Sequence, residues 1–298
     1  MVGRSFVTWC SVVLVACGTV CLTSLLSAQE TLTSAEAPIV SVRALAAVST
    51  PQSPVKPHPL DWVIKYAREE QAWLRQSVRD FTCRLVKRER INDELQDFQY
   101  IDMRVREEVS SDGRVVQPLS VFLEFIGPAE KAGRRVLFVG GRHDNRMLIR
   151  KGGKRFAYVV IDLDPNGESA RQESVVPITQ VGFPQMLGRT LLILERDMLL
   201  DPSGTNTKTE HIANATINGR KCDVVRVEHP QRREGLEFHR ADVFIDNALQ
   251  VPVRTDIYDW PKQSGEPLPV LAEYTYTDLK LNVGLDDAAF DQAALRAP

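Results

Sequence analysis

Hydrophobic and polar positions along the chain follow two different periods, which separate predicted helices from predicted strands. The apolar side chains of residues 62–78 recur at helical spacing and share one side, which predicts an amphipathic helix capped by Asp61. From Phe81 onward the period changes to two, as in a strand that buries one face. Turn pairs such as Asp112-Gly113 then recur between apolar runs. The pattern predicts an α+β protein, mostly β, with an antiparallel sheet.

The strand pattern repeats along most of the remaining chain. No repeat of about 20–50 residues is visible, which argues against a propeller or a solenoid. The eleven predicted strands are residues 81–91, 98–109, 116–125, 134–139, 144–150, 155–161, 209–217, 221–228, 237–246, 251–259 and 270–282.

One further helix is predicted between these strands. Pro184 suits a first helical turn, and residues 184–199 are apolar on nearly every side. Such a helix favours a buried position. It either packs as core against a curved sheet or forms a plug or lid over an apolar cavity, and the sequence leaves both interpretations open.

The first 28 residues have the layout of a secretory signal peptide. A single basic residue, Arg4, precedes an uncharged apolar run that ends in the small pair Ser27-Ala28, which predicts cleavage after Ala28. Two alternatives stay open: a lipoprotein leader lipidated at Cys17, and an uncleaved N-terminal anchor. All three place the body of the protein in the periplasm or elsewhere outside the cytoplasm.

Composition sets the remaining organisation. The leader holds Arg4 and no acidic residue, so the body carries 36 basic and 39 acidic residues and a formal charge of −3. This balance argues against a broadly basic nucleic-acid binder. Residues 29–58 are rich in Pro, Ala and Ser and predict a flexible linker, followed by a single domain over 59–298.

Cysteine usage adds one structural prediction. Three of the five cysteines lie in the leader, which leaves Cys83 and Cys222 in the body. In an oxidising compartment a lone pair of cysteines favours a disulfide bond. The alternative is two separately buried thiols.

Motifs for catalysis are missing from the sequence. There is no G-x-S-x-G, H-E-x-x-H, P-loop or G-x-G-x-x-G motif, and the five histidines show no metal-ligand spacing. We therefore predict neither an enzyme nor a cofactor. One calcium-loop pattern does occur, but the strand before it and Pro177 after it favour a plain turn over a metal site. Its residues are Asp162, Asp164, Asn166 and Glu173.

Positive charge is concentrated in residues 131–155, which hold nine basic residues and one acid. Such a segment is a candidate for contact with a membrane surface or a cell-wall polyanion. The alternative is the solvated face of two hairpins. The candidates for binding an anionic headgroup are Arg134, Arg135, Arg150 and Arg155.

Several stretches of the chain resemble a family of exported proteins of unknown function typical of planctomycete bacteria. The resemblance covers about residues 60–290, and Cys222 falls where that family tends to place its second cysteine. The stretches that carry it are Phe81–Glu89, Pro118–Pro128, Arg135–Gly141, Leu163–Pro165 and Pro177–Gly182.

A more distant resemblance concerns the end of the chain. Glu273–Gly284, together with Phe290, is similar to the last strand and tail of periplasmic lipoprotein carriers and outer-membrane lipoprotein-sorting proteins. This resemblance implies an open, curved antiparallel half-barrel of about eleven strands, with two helices on the concave side covering a hydrophobic groove. The groove candidates are Val121, Leu123, Phe125, Met186, Leu187, Leu191 and Leu194.

Two functional hypotheses follow. The first is a non-enzymatic extracytoplasmic protein that binds a lipid, an acyl chain or a lipidated partner in the groove. The second is an envelope structural or protein-interaction module without a small ligand, in which the same helix is only core. The resemblance transfers the fold more safely than the function.

Overall fold

The computed structural model describes residues 56–153, 159–263 and 265–296. The described residues belong to the second of two units of the chain, Pro54–Pro298. The predicted signal peptide and nearly all of the predicted linker lie outside the described residues, so the three leader alternatives stay predictions. In the described part of the chain, no helix is both long and apolar enough to cross a membrane.

Three helices and fourteen strands form the second unit within the described residues. The helices are α1 (Asp61–Ser77), α2 (Glu168–Arg171) and α3 (Phe183–Leu200). The strands are β1 (Asp80–Ile91), β2 (Glu94–Leu95), β3 (Gln99–Arg106), β4 (Val109–Ser111), β5 (Arg114–Gln117), β6 (Ser120–Gly127), β7 (Arg135–Val139), β8 (Met147–Arg150), β9 (Val160–Leu163), β10 (Lys208–Ile217), β11 (Arg220–Glu228), β12 (Arg240–Asp246), β13 (Pro252–Tyr258) and β14 (Val270–Leu281).

Twelve of the strands form one antiparallel sheet. Its order is β10-β11-β12-β13-β14-β1-β3-β6-β7-β8-β9, with β2 paired to β1, and β4 and β5 form a separate hairpin. The sheet is not closed, because β10 and β9 are its edges. This confirms the predicted α+β, mostly β, open curved half-barrel, and the eleven strands along the path correspond to the eleven predicted ones.

The inward face of the sheet follows from the period of two in the sequence. Phe81, Cys83 and Leu85 are buried along β1, while the residues between them are partly exposed. In the register with β3, Phe81 lies opposite Val105 and Leu85 opposite Ile101. A slip of one residue would turn all these side chains outward, so burial of one face fixes the register.

Helices α1 and α3 pack against each other and on the inward face of the sheet. The packed side of α3 is buried at Phe183 and Leu194, as the apolar sequence predicts. Leu192 and Leu199, however, are 70% and 80% exposed. The expectation of a helix buried on all sides is therefore wrong at these two positions, because α3 has the sheet on one side and solvent on the other.

The outward face of β6, β7 and β8 is covered by the end of the chain. Phe122, Leu137 and Leu148 form a cluster there with Phe290 and Leu295 from two short 3-10 helices. Strand β7 is consequently buried at all five positions. Burial on both faces explains why its sequence is a continuous apolar run rather than an alternating one.

Both described cysteines are free thiols in this structure, which does not show the predicted disulfide. Cys83 lies in β1 and Cys222 in β11, and three strands separate these two in the sheet. Burial, with a smaller contribution from Asp102, raises the pKa of the Cys83 thiol. A buried thiol with a raised pKa is a weak nucleophile, so this residue acts as a small apolar side chain.

Two local details differ from the sequence prediction. Leu60 rather than Asp61 is the N-cap of α1, and the Asp61 carboxylate accepts a hydrogen bond from the backbone N–H of His58 at 2.7 Å. Residues 110–115 of the β4–β5 hairpin also lie outside the predicted strands, although its turn was predicted. Its turn residues Asp112 and Gly113 both have positive φ, as a two-residue hairpin turn requires.

Candidate functional site

A cavity of about 580 Å³ lies between the inward face of the sheet and helices α1 and α3. We call it the concave cavity. Within the described residues, ten strands of the sheet contribute side chains to it. The segment between β9 and α3 forms a further wall. Its volume lies within the range of small-molecule sites, roughly 300–1,000 Å³.

Most of the side chains around the concave cavity are apolar. Those from the sheet include Leu85, Ile101, Met103, Leu123, Phe125, Val136, Met147, Ile149, Leu163, Val225, Val227, Val243, Ile245, Ile257 and Leu271. Those from the helices and the segment before α3 include Val63, Ala67, Pro165, Val175, Val176, Ile178, Met186, Leu187, Ile193 and Leu194.

The structure places most of the predicted groove residues on the wall of the concave cavity. Val121 lies instead in the buried core with β1 and β3, and Leu191 packs with residues of α1. Contact of any of these residues with an acyl chain stays a prediction. The five groove residues that line the cavity are Leu123, Phe125, Met186, Leu187 and Leu194.

A buried polar cluster interrupts this apolar wall. The Lys87 ammonium donates hydrogen bonds to Glu89 Oε2 at 2.7 Å and to Ser174 Oγ at 2.8 Å. The Tyr274 hydroxyl donates to Glu89 Oε1 at 2.6 Å. Lys87 and Glu89 are only 6% and 2% exposed, so the two charges neutralise each other away from bulk water.

Titration in this cluster is set by the balance of burial and contacts. Burial alone would raise the pKa of Glu89, but the Lys87 ammonium and the hydrogen bonds from Lys87, Tyr274 and Ser174 lower it overall. Burial and the adjacent Glu89 carboxylate raise the pKa of Tyr274. At neutral pH Glu89 is therefore ionised, and the protonated Tyr274 hydroxyl donates a hydrogen bond to it.

A second group of charges contributes Arg134 to the cavity wall. Its guanidinium lies over the Phe125 ring and donates to Glu173 at 2.9 Å, and Lys131 reaches the same carboxylate oxygen at 3.2 Å. Burial opposes ionisation of Glu173, but these two cations lower its pKa overall. The side chain of Arg134, a predicted headgroup contact, is thus paired with Glu173 from the segment before α3.

The other headgroup candidates have different positions. The Arg135 guanidinium is buried and donates to Glu124 at 2.8 Å, and Arg150 donates to the Gly133 carbonyl at 3.1 Å. Arg155 lies outside the described residues. Neither Arg135 nor Arg150 lines the concave cavity.

Carboxylates from outside the basic segment 131–155 pair with several of its side chains. Arg135 pairs with Glu124, Arg146 with Asp162, and Glu173 serves two further cations. Much of the local charge of the segment is therefore compensated, which favours the solvated hairpin face over a polyanion site.

The calcium-loop residues do not converge on one point. Asp162 pairs with Arg146, and Asp164 Oδ1 accepts the backbone N–H of Asn166 at 2.9 Å within a turn. Glu173 is occupied by two cations. Across the described ranges, no group of three or more His, Cys, Asp or Glu side chains could hold a metal ion.

A buried carboxylate lies under the start of α3. Glu107 Oε1 accepts the backbone N–H of Phe183 at 2.8 Å, and its Oε2 has no hydrogen-bond partner. Burial raises the pKa of Glu107 to about 7, and the hydrogen bond from Phe183 only partly opposes this. A Cβ at Gly182 would collide with Glu107 Oε2 and with the side-chain oxygen of Gln185, so a larger residue there would require both side chains to shift.

The end of α3 has a larger buried polar network. His229 Nε2 lies 3.2 Å from Asp197 Oδ2, and Thr207 Oγ1 lies 3.4 Å from His229 Nδ1. This Asp-His-Thr order is superficially like a hydrolase triad. Asp197 and His229 are fully buried, however, and none of the three residues lines the concave cavity. The network is therefore structural, since a substrate has no access to it.

Sequence reasoning overlooked the polar cluster of the cavity, although the sequence contains a signal for it. Lys87 and Glu89 continue the inward-facing series of Phe81, Cys83 and Leu85 along β1. Charged residues at inward positions of a strand are rare and require a partner or a function. The partners Ser174 and Tyr274 are distant in the chain, so only the fold identifies them.

A family model supplies the identity of the chain. Residues 78–296 match the model of DUF1571, a family of proteins of unknown function. The match spans most of the chain, so the protein belongs to this family. No curated protein matches it.

Solved structures show further likenesses at low identity. A putative outer membrane lipoprotein-sorting protein domain from Vibrio parahaemolyticus is 13% identical, with a TM-score of 0.37, covering 78% of this chain and 98% of that one. The lipoprotein LppX from Mycobacterium tuberculosis is 11% identical, with a TM-score of 0.38 and coverage of 76% and 100%. A chain in the MucA/MucB complex of Pseudomonas aeruginosa is 14% identical, with a TM-score of 0.42, and the match covers 78% of this chain and 62% of that one.

Proposed function

We propose that this DUF1571 protein is a non-enzymatic, exported protein that binds the acyl chain of a lipid or of a lipidated partner in the concave cavity. The observation that carries the proposal is the cavity of about 580 Å³ whose wall is built mainly from apolar side chains of the sheet, α1 and α3. Export is inferred from the predicted leader.

Hydrophobic burial provides the binding energy in this proposal. Each methylene of an acyl chain that leaves water contributes about 0.8 kcal/mol. A chain in the concave cavity contacts Leu123 and Phe125 from the sheet and Met186 from α3, all of which line it. Met186 adapts well to chains of different shape, because its side chain is unbranched and flexible.

The first experiment identifies what the protein carries. We expect native mass spectrometry of the purified protein, followed by denaturing lipid analysis, to detect a bound acyl lipid. We also expect a fluorescent acyl probe to bind and to be displaced by unlabelled lipid. If no lipid copurifies and no probe binds, the proposal is wrong and the structural or protein-interaction hypothesis replaces it.

A pair of variants in one strand tests the location. Leu123→Trp places a larger side chain in the concave cavity, whereas Ile126→Trp changes an outward position of β6 that is 46% exposed. We expect Leu123→Trp to weaken probe binding at least tenfold and Ile126→Trp to leave it unchanged. Thermal unfolding of both variants checks that they are folded. Equal binding by the two variants would place the probe elsewhere.

A further inference from the structure

A polar side chain with no partner lies beside the buried cluster of the concave cavity. Gln99 begins β3, faces inward, and is 4% exposed. It lines the cavity, and among the described residues its side-chain amide has no hydrogen-bond partner. The amide nitrogen and oxygen are not among the fully buried side-chain atoms that lack a partner, so they are accessible from the cavity and free to hydrogen-bond a ligand there.

The neighbour of Gln99 across the strand pair is Lys87. The two residues are directly opposite in the β1–β3 register, which places their Cβ atoms about 4.5–5.5 Å apart. An ammonium group has three N–H donors, and Glu89 and Ser174 accept two of them. Gln99 and Lys87 together therefore offer unused donors at one place on the cavity wall.

The next residues on the same face are apolar. One inward step along the pair brings Leu85 opposite Ile101, and a second brings Cys83 opposite Met103. A ligand that reaches the Gln99–Lys87 row with a polar atom can therefore lay a hydrocarbon chain along these rows. The arrangement suits an amphipathic molecule whose polar part is small.

Local charge selects the kind of polar group. Glu89 is ionised and hydrogen-bonded to Lys87, so the pair carries no net charge. The Arg189 guanidinium, which also lines the cavity, donates to Gln180 Oε1 at 3.0 Å. An anionic head placed beside Lys87 would also meet the Glu89 carboxylate, which is 2% exposed and poorly screened. A neutral acceptor has no such cost, and the Gln99 amide is itself a neutral donor.

We propose that Gln99 and Lys87 hydrogen-bond the carbonyl oxygen of an acyl ester or acyl amide, and that the concave cavity discriminates against free fatty-acid carboxylates. This inference rests on the proposed function and specifies its ligand class. The carbonyl accepts hydrogen bonds from the Gln99 side-chain N–H and from the remaining Lys87 N–H. The chain lies over the Leu85–Ile101 row.

The experiment uses one hydrocarbon probe and three competitors. Diphenylhexatriene, which has no carbonyl, reports occupancy of the cavity by fluorescence. Methyl dodecanoate, dodecanamide and ionised dodecanoate then displace it at neutral pH. We expect the ester and the amide to compete at least tenfold more strongly than the carboxylate. A stronger effect of the carboxylate would overturn the proposal.

Gln99→Leu removes the amide at nearly constant volume. We expect it to weaken competition by the ester about five- to tenfold, the usual effect of losing one hydrogen bond, while diphenylhexatriene binds as before. The matched control is Gln172→Leu, an exposed position outside the cavity, which should change neither. The infrared carbonyl stretch of bound, isotope-labelled ester should shift to higher frequency in Gln99→Leu alone.

The outcomes separate the two proposals. If diphenylhexatriene and all three competitors fail to bind the unaltered protein, the proposed function itself is wrong. If they bind and Gln99→Leu changes neither ester competition nor the carbonyl frequency, the function stands and the ester or amide preference is wrong. Thermal unfolding shows that Gln99→Leu is folded, since replacing an unpaired buried amide with an apolar group is tolerated or stabilising.

Discussion

The two ends of α3, the helix that covers the concave cavity, are held in opposite ways. At the start, the Glu107 carboxylate contacts the first turn, and one of its oxygens has no partner. At the end, Asp201 Oδ2 accepts hydrogen bonds from Asn206 N–H at 2.8 Å and Thr207 Oγ1 at 2.9 Å. Its Oδ1 accepts one from Arg233 at 3.0 Å.

Helix electrostatics contribute to the difference. A carboxylate at a helix N-terminus is favoured by the macrodipole, but at Glu107 burial outweighs this effect and the pKa is raised. A carboxylate at the C-terminus is disfavoured, so Asp197 and Asp201 require compensation, which Arg196 and Arg233 provide. The start of α3 is thus held by a hydrogen bond to the titratable Glu107 carboxylate. Its end is held by Asp201, whose two oxygens both accept hydrogen bonds.

The two ends also respond oppositely to pH. Burial raises the pKa of Glu107 to about 7, so its contribution to stability is present at low pH and is lost as pH rises. Burial opposes ionisation of Asp201, but its hydrogen bonds lower the pKa overall. Its contribution is present above the ordinary pKa and is lost as pH falls. We therefore expect the start of α3 to loosen first at neutral and higher pH.

The largest expected effect among the polar contacts of α3 is at its end. Asp201→Ala leaves the Asn206 N–H and the Thr207 hydroxyl, both buried, without their acceptor, so we expect a loss of about 3 kcal/mol in the free energy of unfolding. Urea unfolding measures it. The exposed Asp97→Ala should change stability by less than about 0.5 kcal/mol. A similarly small loss for Asp201→Ala would mean that the network does not fasten α3.

The next effect concerns Glu107 and is measured as a function of pH. Between the ordinary carboxyl pKa and about 7, the folded protein binds a proton that the unfolded chain releases, so stability falls as pH rises. We expect this fall to be about 2–3 kcal/mol larger in the unaltered protein than in Glu107→Gln, which keeps an oxygen for the Phe183 N–H.

The control for this measurement is the neighbouring residue. Glu108 is exposed, and Glu108→Gln should reproduce the pH profile of the unaltered protein. If Glu107→Gln and Glu108→Gln give the same profile, Glu107 is not the group that makes the start of α3 sensitive to pH.

The smallest effect is expected at Leu199, an exposed apolar residue near the end of α3. Leu199 is 80% exposed, so Leu199→Gln should change the free energy of unfolding by less than about 0.5 kcal/mol. Leu194, on the packed side, is 3% exposed, and Leu194→Ala should cost about 2–4 kcal/mol. Thermal unfolding of the two variants gives the comparison. A large cost at Leu199 would indicate a contact that covers it in solution.

Local patterns determined much of this protein. The period-two alternation from Phe81 and the apolar run after Pro184 were sufficient to predict the eleven strands of the path and the helix α3, whereas the open sheet was implied by the resemblance to lipoprotein carriers. They succeed because each strand or helix buries one face, which produces a regular spacing of apolar residues at nearby positions of the sequence. The turn of the β4–β5 hairpin was predicted at Asp112-Gly113, but most of its two strands were not, since their residues are largely exposed and have no apolar face to reveal them.

Tertiary structure alone decided the chemistry of the cavity. Lys87 meets Ser174, and Glu107 meets Phe183, across separations of 87 and 76 residues. The same is true of the free thiols, because the strand order that separates Cys83 from Cys222 is set by the sheet. Local periodicity specifies which face a side chain occupies. Its partners on that face depend on strand order and on where α3 crosses the sheet, and these arise only when distant segments pack together.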